Sequence, residues 1–226
     1  MFSLDTFQKD YDAHTTDLVI RERRFRFLVP DSIDRFIHPD DLLHQFPLWA
    51  KIWEASVILS QYLAGLPVQR DRRFLEIGCG LGVVGIVASA FGHRVTMTEA
   101  DPHALNFCRA NVHTNLLDPD LNPEITELDW NRPQPMGPFH GIIGSEVVYK
   151  ETDFQPISTL FKTYLRPGGE IILAQGLRKT SIEFFRLMGE SFHIRAQKQV
   201  LRTKGKEIRV LLCRMTPKAA DPPPFS

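Results

Sequence analysis

Phe74-Leu75-Glu76-Ile77-Gly78-Cys79-Gly80-Leu81-Gly82-Val83-Val84-Gly85 is the stretch on which the fold turns. An apolar run with strand character carries an acid and breaks into a tight glycine turn. Small and β-branched residues follow. Glycine lets the backbone take positive φ and lets a ligand come close. The first amides of a following helix have no intrahelical partner, so they face whatever binds there. A dinucleotide fold uses G-x-G-x-x-G, with a pyrophosphate seated on those amides. Here the pattern is E-x-G-x-G-x-G, and Val83 stands where the third dinucleotide glycine would be. A carboxylate at Glu76 repels a pyrophosphate and suits the ammonium of an amino-acid moiety.

Downstream, strands and helices alternate. A strand over 73–78 leads to a helix over 81–91 and a strand over 94–99. The next helix opens at Asp101-Pro102, a cap residue before a proline, and buries Leu105, Cys108 and Val112. Residues 117–123 and 131–138 read as loops around a short strand at 125–128, which ends in Asp129-Trp130. A strand over 139–145 follows, whose two glycines suit a central position with close backbone contact. A helix over 151–165, a glycine stop at 166–169, a strand over 170–174 and a helix over 179–190 come next. Residues 193–201 and 207–215 then pair as a hairpin. Such alternation gives a parallel sheet covered on both faces. The expected fold is α/β, with a Rossmann-like sheet of seven strands, mostly parallel, closed by a C-terminal antiparallel hairpin.

Upstream, residues 1–16 are polar and carry no clear pattern. Residues 18–20 and 24–29 read as a small hairpin with Phe25 and Phe27 on one face. Arg21, Arg23, Arg24 and Arg26 read as a solvated face balanced by Glu22 and Asp31. Residues 30–47 connect this hairpin to an amphipathic helix expected over Leu48–Leu66, with Trp49, Ile52, Trp53, Ser56, Leu59 and Leu63 on one side. Trp49 fits a core position and a ligand wall equally well. The proline-rich residues after Thr216 are expected to be disordered. The expected organisation is an extension with a hairpin at 1–47, a main domain at 48–215 and a tail at 216–226.

Lys plus Arg and Asp plus Glu each total 27, so bulk charge draws this chain to neither nucleic acid nor membrane. Cys79, Cys108 and Cys213 are odd in number and widely spaced, which gives no disulfide framework and no zinc spacing. The histidines have no ligand spacing either, so no metal is expected. No signal sequence or membrane-length apolar run is visible, and a cytoplasmic protein is expected, as a monomer.

In an open parallel sheet, ligands bind beyond the carboxyl ends of the strands. Those ends carry Glu76 with Gly78–Gly80, then Glu99, Asp129-Trp130 and Ser145-Glu146. Glu99 lies 19 residues past Gly80, near the spacing at which an acid accepts from ribose hydroxyls. Trp130 offers a plane for an adenine and Asp129 an acceptor for its amine. An ammonium, a ribose and a purine without phosphate describe S-adenosyl-L-methionine. Methyl transfer from a sulfonium needs a neutral nucleophile held in line. A free lysine amine has a pKa of about 10.4, so its site must take it deprotonated and stabilise the ammonium that forms. Glu146 supplies charge for this, and Tyr149 walls and orients the amine.

The chain resembles the seven-β-strand (class I) protein lysine methyltransferases from about Trp49 to Met215. The resemblance lies in Ile52–Leu63, Leu75–Gly85, Val95–Glu99, Leu128-Asp129-Trp130 and Gly144-Ser145-Glu146-Val147-Val148-Tyr149. It implies a methyltransferase sheet, S-adenosyl-L-methionine as cofactor and a protein lysine as acceptor. It also implies cofactor contacts at Trp53, Gly78, Cys79, Gly80, Glu99, Trp130 and Ser145. The family's D-x-x-Y signature falls on Glu146 through Tyr149, with glutamate for aspartate, and Glu99 shows the same exchange. One added methylene keeps the charge and changes the reach. Two other readings stay open: a small-molecule amine N-methyltransferase, and a cofactor-binding module without catalysis. A Rossmann redox enzyme binding NAD is disfavoured by Glu76 and Val83.

Overall fold

A computed structural model describes residues 2–37, 46–116, 118–203 and 206–218. In chain order the elements are α1 (Leu4–Asp10), β1 (Ala13–Ile20), β2 (Arg23–Pro30), α2 (Glu54–Leu63), β3 (Arg73–Ile77), α3 (Val83–Ala90), β4 (Arg94–Glu99) and α4 (Pro102–Asn115). They continue as β5 (Glu124–Glu127), β6 (Phe139–Ser145), α5 (Phe154–Tyr164), β7 (Leu165–Gly176), α6 (Lys179–Met188), β8 (Phe192–Thr203) and β9 (Lys206–Pro217). Seven strands form one sheet in the order β5-β4-β3-β6-β7-β9-β8, while β1 and β2 form a separate hairpin. Strands β3 to β7 run parallel, and β9 enters antiparallel between β7 and β8. This is the Rossmann-like, mostly parallel seven-stranded sheet with a C-terminal antiparallel hairpin.

The order reverses at β3. From there the chain builds outward through β4 and β5, then returns to β6 on the other flank. A crevice opens at such a switch point, above the carboxyl ends of the strands. A Cβ at Gly141 on β6 would lie 2.6 Å from the Phe74 ring on β3, so only glycine permits this strand spacing. Val84, Ile86 and Val87 on α3 are fully buried against the sheet, each contributing about 1.5–3 kcal/mol.

The N-terminal region departs from its expected form. Residues 4–10 form a helix capped by Ser3, whose hydroxyl accepts from the Thr6 N–H. Seven residues are too few to show periodicity, and tertiary contact decides. Phe7 and Tyr11 pack edge-on against Phe107 of α4. The hairpin arginines also find partners other than Glu22 and Asp31. Arg24 and Arg26 pair with Asp17, while Arg21 and Arg23 donate to the Gln61 and Ala90 carbonyls. The edge of β2 is closed by two asparagines one helical turn apart on α4. Asn111 and Asn115 each bond the N–H and C=O of a β2 residue, Leu28 and Arg26 respectively, as a neighbouring strand would. Asn111 also donates to the Leu81 carbonyl at 2.9 Å, which joins the hairpin to the glycine turn.

The helix expected over Leu48–Leu66 is shorter. Leu48–Ala50 make one 3₁₀ turn, Lys51 is extended, and α2 starts only after Trp53. Both tryptophans therefore leave the helix. Trp53 Nε1 donates to the Leu48 carbonyl at 2.7 Å and Trp49 Nε1 to Asp101 at 3.0 Å, bonds that a continuous helix would forgo. Strand β7 is longer than expected because it pairs on both sides, and the 166–169 glycines sit in its irregular start opposite β6. Residues 38–45 of the expected connection and 219–226 of the expected tail lie outside the described residues, and β9 runs on to Pro217. Among the described residues no helix is long and apolar enough to cross a membrane.

Candidate active site

The cleft above β3, β4 and β6 has a volume of about 380 Å³, within the ~300–1,000 Å³ usual for cofactor-sized sites. Its floor is the glycine turn. Gly78 and Gly80 have φ of +60° and +52°, where a side chain would strain the backbone. At Gly78 a Cβ would also stand 3.2 Å from the Trp130 indole. Cys79 lies between them, buried, with its Sγ 3.7 Å from Cys108. The Cys108 contact, burial and nearby acids hold the Cys79 thiol well above its ordinary range, so it is a packing group rather than a nucleophile.

Glu99, at the end of β4, ties this floor together. Its carboxylate accepts from the Gly80 N–H at 3.0 Å, the Ala100 N–H at 2.8 Å and the Asp101 N–H at 3.2 Å. Burial raises its pKa, and those three amides oppose the rise. A carboxylate has about four acceptor positions, so roughly one remains for a ligand hydroxyl. Asp101 caps α4 with one oxygen and holds the Trp49 indole with the other. Trp49 is thus both core and wall: it packs on Phe36 and Phe107, and its backbone lies against Gly80. On the facing wall, Trp130 follows β5, and Asp129 Oδ1 accepts from Asn131. Trp53 also lines the cleft, with Lys51 Nζ 4.4 Å from its ring centroid.

Glu76 does not line this cleft. Strand residues alternate faces, so Leu75 and Ile77 point toward α5, while Phe74 and Glu76 point to the layer that holds α3. The Glu76 carboxyl is almost fully buried beneath Gly85, and its Oε2 has no hydrogen-bond partner among the described residues. Burial pushes its pKa up to about 8, opposed by the Gly85 N–H and assisted by Glu99. The Glu76 carboxyl, expected to receive an ammonium, thus stands buried behind the glycine turn and outside the lining of the cleft. Negative charge in the cleft comes instead from Glu99, Asp129, Glu146 and Asp153, against Lys51 and Lys150.

The end of β6 forms the remaining wall. Ser145, Glu146 and Tyr149 all line the cleft. Glu146 has a left-handed φ of +51°, and its N–H donates to the Ala174 carbonyl at 2.9 Å. Its Oε1 accepts from the Gly176 N–H at 2.8 Å and its Oε2 pairs with Arg178. Burial raises the Glu146 pKa, and the Arg178 charge opposes this. The Arg178 guanidinium lies 5.1 Å from the Tyr149 ring centroid, and burial raises the Tyr149 phenol. Sequence reasoning passed over Arg178 and Lys51, which no local pattern marks, and left Trp49 open between core and wall.

A purine nucleoside carrying a sulfonium and an amino-acid group suits these acceptors. The acid excess disfavours a diphosphate, and the Trp130 indole offers a plane for a flat ring. A family model described as lysine methyltransferase matches residues 47–191. A protein N-lysine methyltransferase METTL21A of Danio rerio is 34% identical over 129 residues, covering 55% of this chain and 58% of that protein. An EEF1A lysine methyltransferase 3 of Mus musculus is 31% identical over 151 residues, covering 64% of each. The chain thus spans under two thirds of the length of these relatives. Among solved structures, a precorrin-6y C5,15-methyltransferase of Geobacter metallireducens shares the fold, with a TM-score of 0.56 at 18% identity over 82% of this chain and 95% of that one.

Proposed function

We propose, from the premise that this chain belongs to the lysine methyltransferase family, that it methylates a side-chain amine of a protein lysine, using S-adenosylmethionine. When bound, the cofactor supplies an electrophilic methyl on a sulfonium. The observation that carries this reading is the convergence of Glu99, Asp129, Glu146 and Asp153 on one cleft at the switch point of the sheet. Such a wall attracts cations at both partners: the sulfonium nucleoside and the incoming lysine. Trp130 takes the flat base, and Glu99 takes a ribose hydroxyl. Trp53 lines the same cleft, and Ser145 with the Cys79 backbone borders the chain that carries the sulfur.

Glu146 and Tyr149 then face the acceptor. The nucleophile must arrive as a neutral amine, and the product is an ammonium. A fixed carboxylate next to that nitrogen stabilises the charge as it forms. Tyr149, held neutral by its surroundings, walls the amine without competing for the proton. A protein acceptor is what the two relatives' names state for themselves, and for this chain it is part of the proposal. A reducing, cytoplasmic setting suits the three free, buried cysteines.

Calorimetry with S-adenosylhomocysteine and, separately, NAD tests the ligand; heat is expected from the first and none from the second. Incubation of a cell extract with labelled methyl donor tests the acceptor, and label is expected in protein. Label confined to small molecules favours the amine N-methyltransferase. Binding without any label favours a module without catalysis.

A further inference from the structure

We propose that Arg178 is a positioning residue for the transfer: it clamps the Glu146 carboxylate against the end of β7 and sets the direction and charge that the acceptor amine meets. This role rests on the transfer reading above. Glu146 Oε2 is ion-paired with the Arg178 guanidinium, and Oε1 accepts from the Gly176 N–H at 2.8 Å, so both oxygens are directed. The same guanidinium lies 5.1 Å from the Tyr149 ring centroid, which places it between the two residues expected to face the acceptor. Arg178 is the N-cap residue of α6, so its place is set by the β7–α6 turn and not by the strand that bears Glu146. The methylene by which Glu146 exceeds the family's aspartate carries its oxygens out to this pair.

A carboxylate buried without a partner takes a proton rather than stay charged. The groups bearing on Glu146 are Arg178 at the start of α6, the Gly176 amide on β7, Tyr149 on its own loop and Glu54 at the start of α2. Lys150 and Asp153 share the cleft wall. Glu54 acts with burial, and Arg178 works against both. A protonated Glu146 cannot stabilise a forming ammonium, and an unclamped one need not point at it.

The test uses Arg178→Met and Arg178→Lys in the full chain, labelled with 13C at glutamate carboxyls. The Glu146 resonance is identified by its loss in Glu146→Gln. In the Met variant the Glu146 titration is expected to move up by about one pH unit or more, and in the Lys variant to stay near wild type. Transfer at pH 7 falls roughly tenfold in the Met variant, recovers as pH rises and is largely kept by the Lys variant. Affinity for S-adenosylhomocysteine is unchanged in both. A Met variant whose Glu146 titrates as in wild type, or a Lys variant as impaired as the Met one, overturns the role. Should Arg178→Met fail to fold, Arg178→Gln replaces it with the same expected shift. The titration needs no methyl transfer, so a wild-type chain that labels no protein defeats the transfer reading by a separate measurement.

Discussion

After β3 the chain turns through Gly78 and Gly80, at φ of +60° and +52°, whereas after β6 it turns through Glu146, at φ of +51°. The glycines take this conformation without a Cβ clash, while a glutamate there costs roughly 1–2 kcal/mol. The first turn is held by neighbours on the adjacent strand: the Cys79 N–H donates to the Thr98 carbonyl, and Glu99 receives the Gly80 N–H. The second is held from further along the chain, by the Ala174 carbonyl, the Gly176 amide and Arg178. One turn is a backbone device that needs particular residue types. The other is a side chain kept in a strained setting, and such strain concentrates at functional sites. Under the proposed function the glycine turn serves the cofactor and the Glu146 turn serves the acceptor.

Glu146→Ala tests that division most sharply. Transfer is expected to fall about 10²–10³-fold, with S-adenosylhomocysteine affinity held within about twofold by calorimetry. If affinity falls in step with transfer, the two turns are not separable. Trp130→Ala should do the reverse, weakening S-adenosylhomocysteine about 10–100-fold, the loss of one base–aromatic stack. Transfer at saturating donor should then stay near wild type, and a large fall in kcat would move Trp130 to the acceptor side.

Protonation of Glu76 bears on the β3 side alone. The folded-state pKa of Glu76 is raised to about 8 from the ordinary 4.5, so the folded chain keeps a proton that the unfolded chain releases. Its contribution to stability is complete below the ordinary carboxylate range and drains away as pH rises through about 8. Glu76→Gln should match wild type near pH 4. It should then gain on wild type by up to about 1.4 kcal/mol per pH unit as pH rises toward the upper end of that window. Urea midpoints measured across the range check this, and parallel curves for the two proteins would show that Glu76 is not held protonated.

Much of the cleft was legible because its residues follow strand ends. Gly78–Gly80, Glu99, Asp129, Trp130, Ser145 and Glu146 each stand at or just after the end of a strand, and in a parallel sheet those ends gather on one side. Glu76 shows where that logic stops. It lies within the strand rather than past its end, so the two-residue alternation sends it under α3. Trp53 was placed at the ligand by resemblance, yet on a helix that the structure begins only at Glu54. The helix at Leu4–Asp10 left no pattern, because its one buried aromatic finds its reason in Phe107.

Local sequence alone determined the α/β alternation, the glycine turn and the acids at the strand ends, because periodicity and backbone preference act over a few neighbouring residues. Tertiary structure decided which way Glu76 points, that Trp49 hangs from Asp101 and that Arg178 grips Glu146. The last two depend on groups 52 and 32 residues apart meeting at short range. Hydrogen bonds and ion pairs act over a few ångströms in space, and chain spacing does not record them.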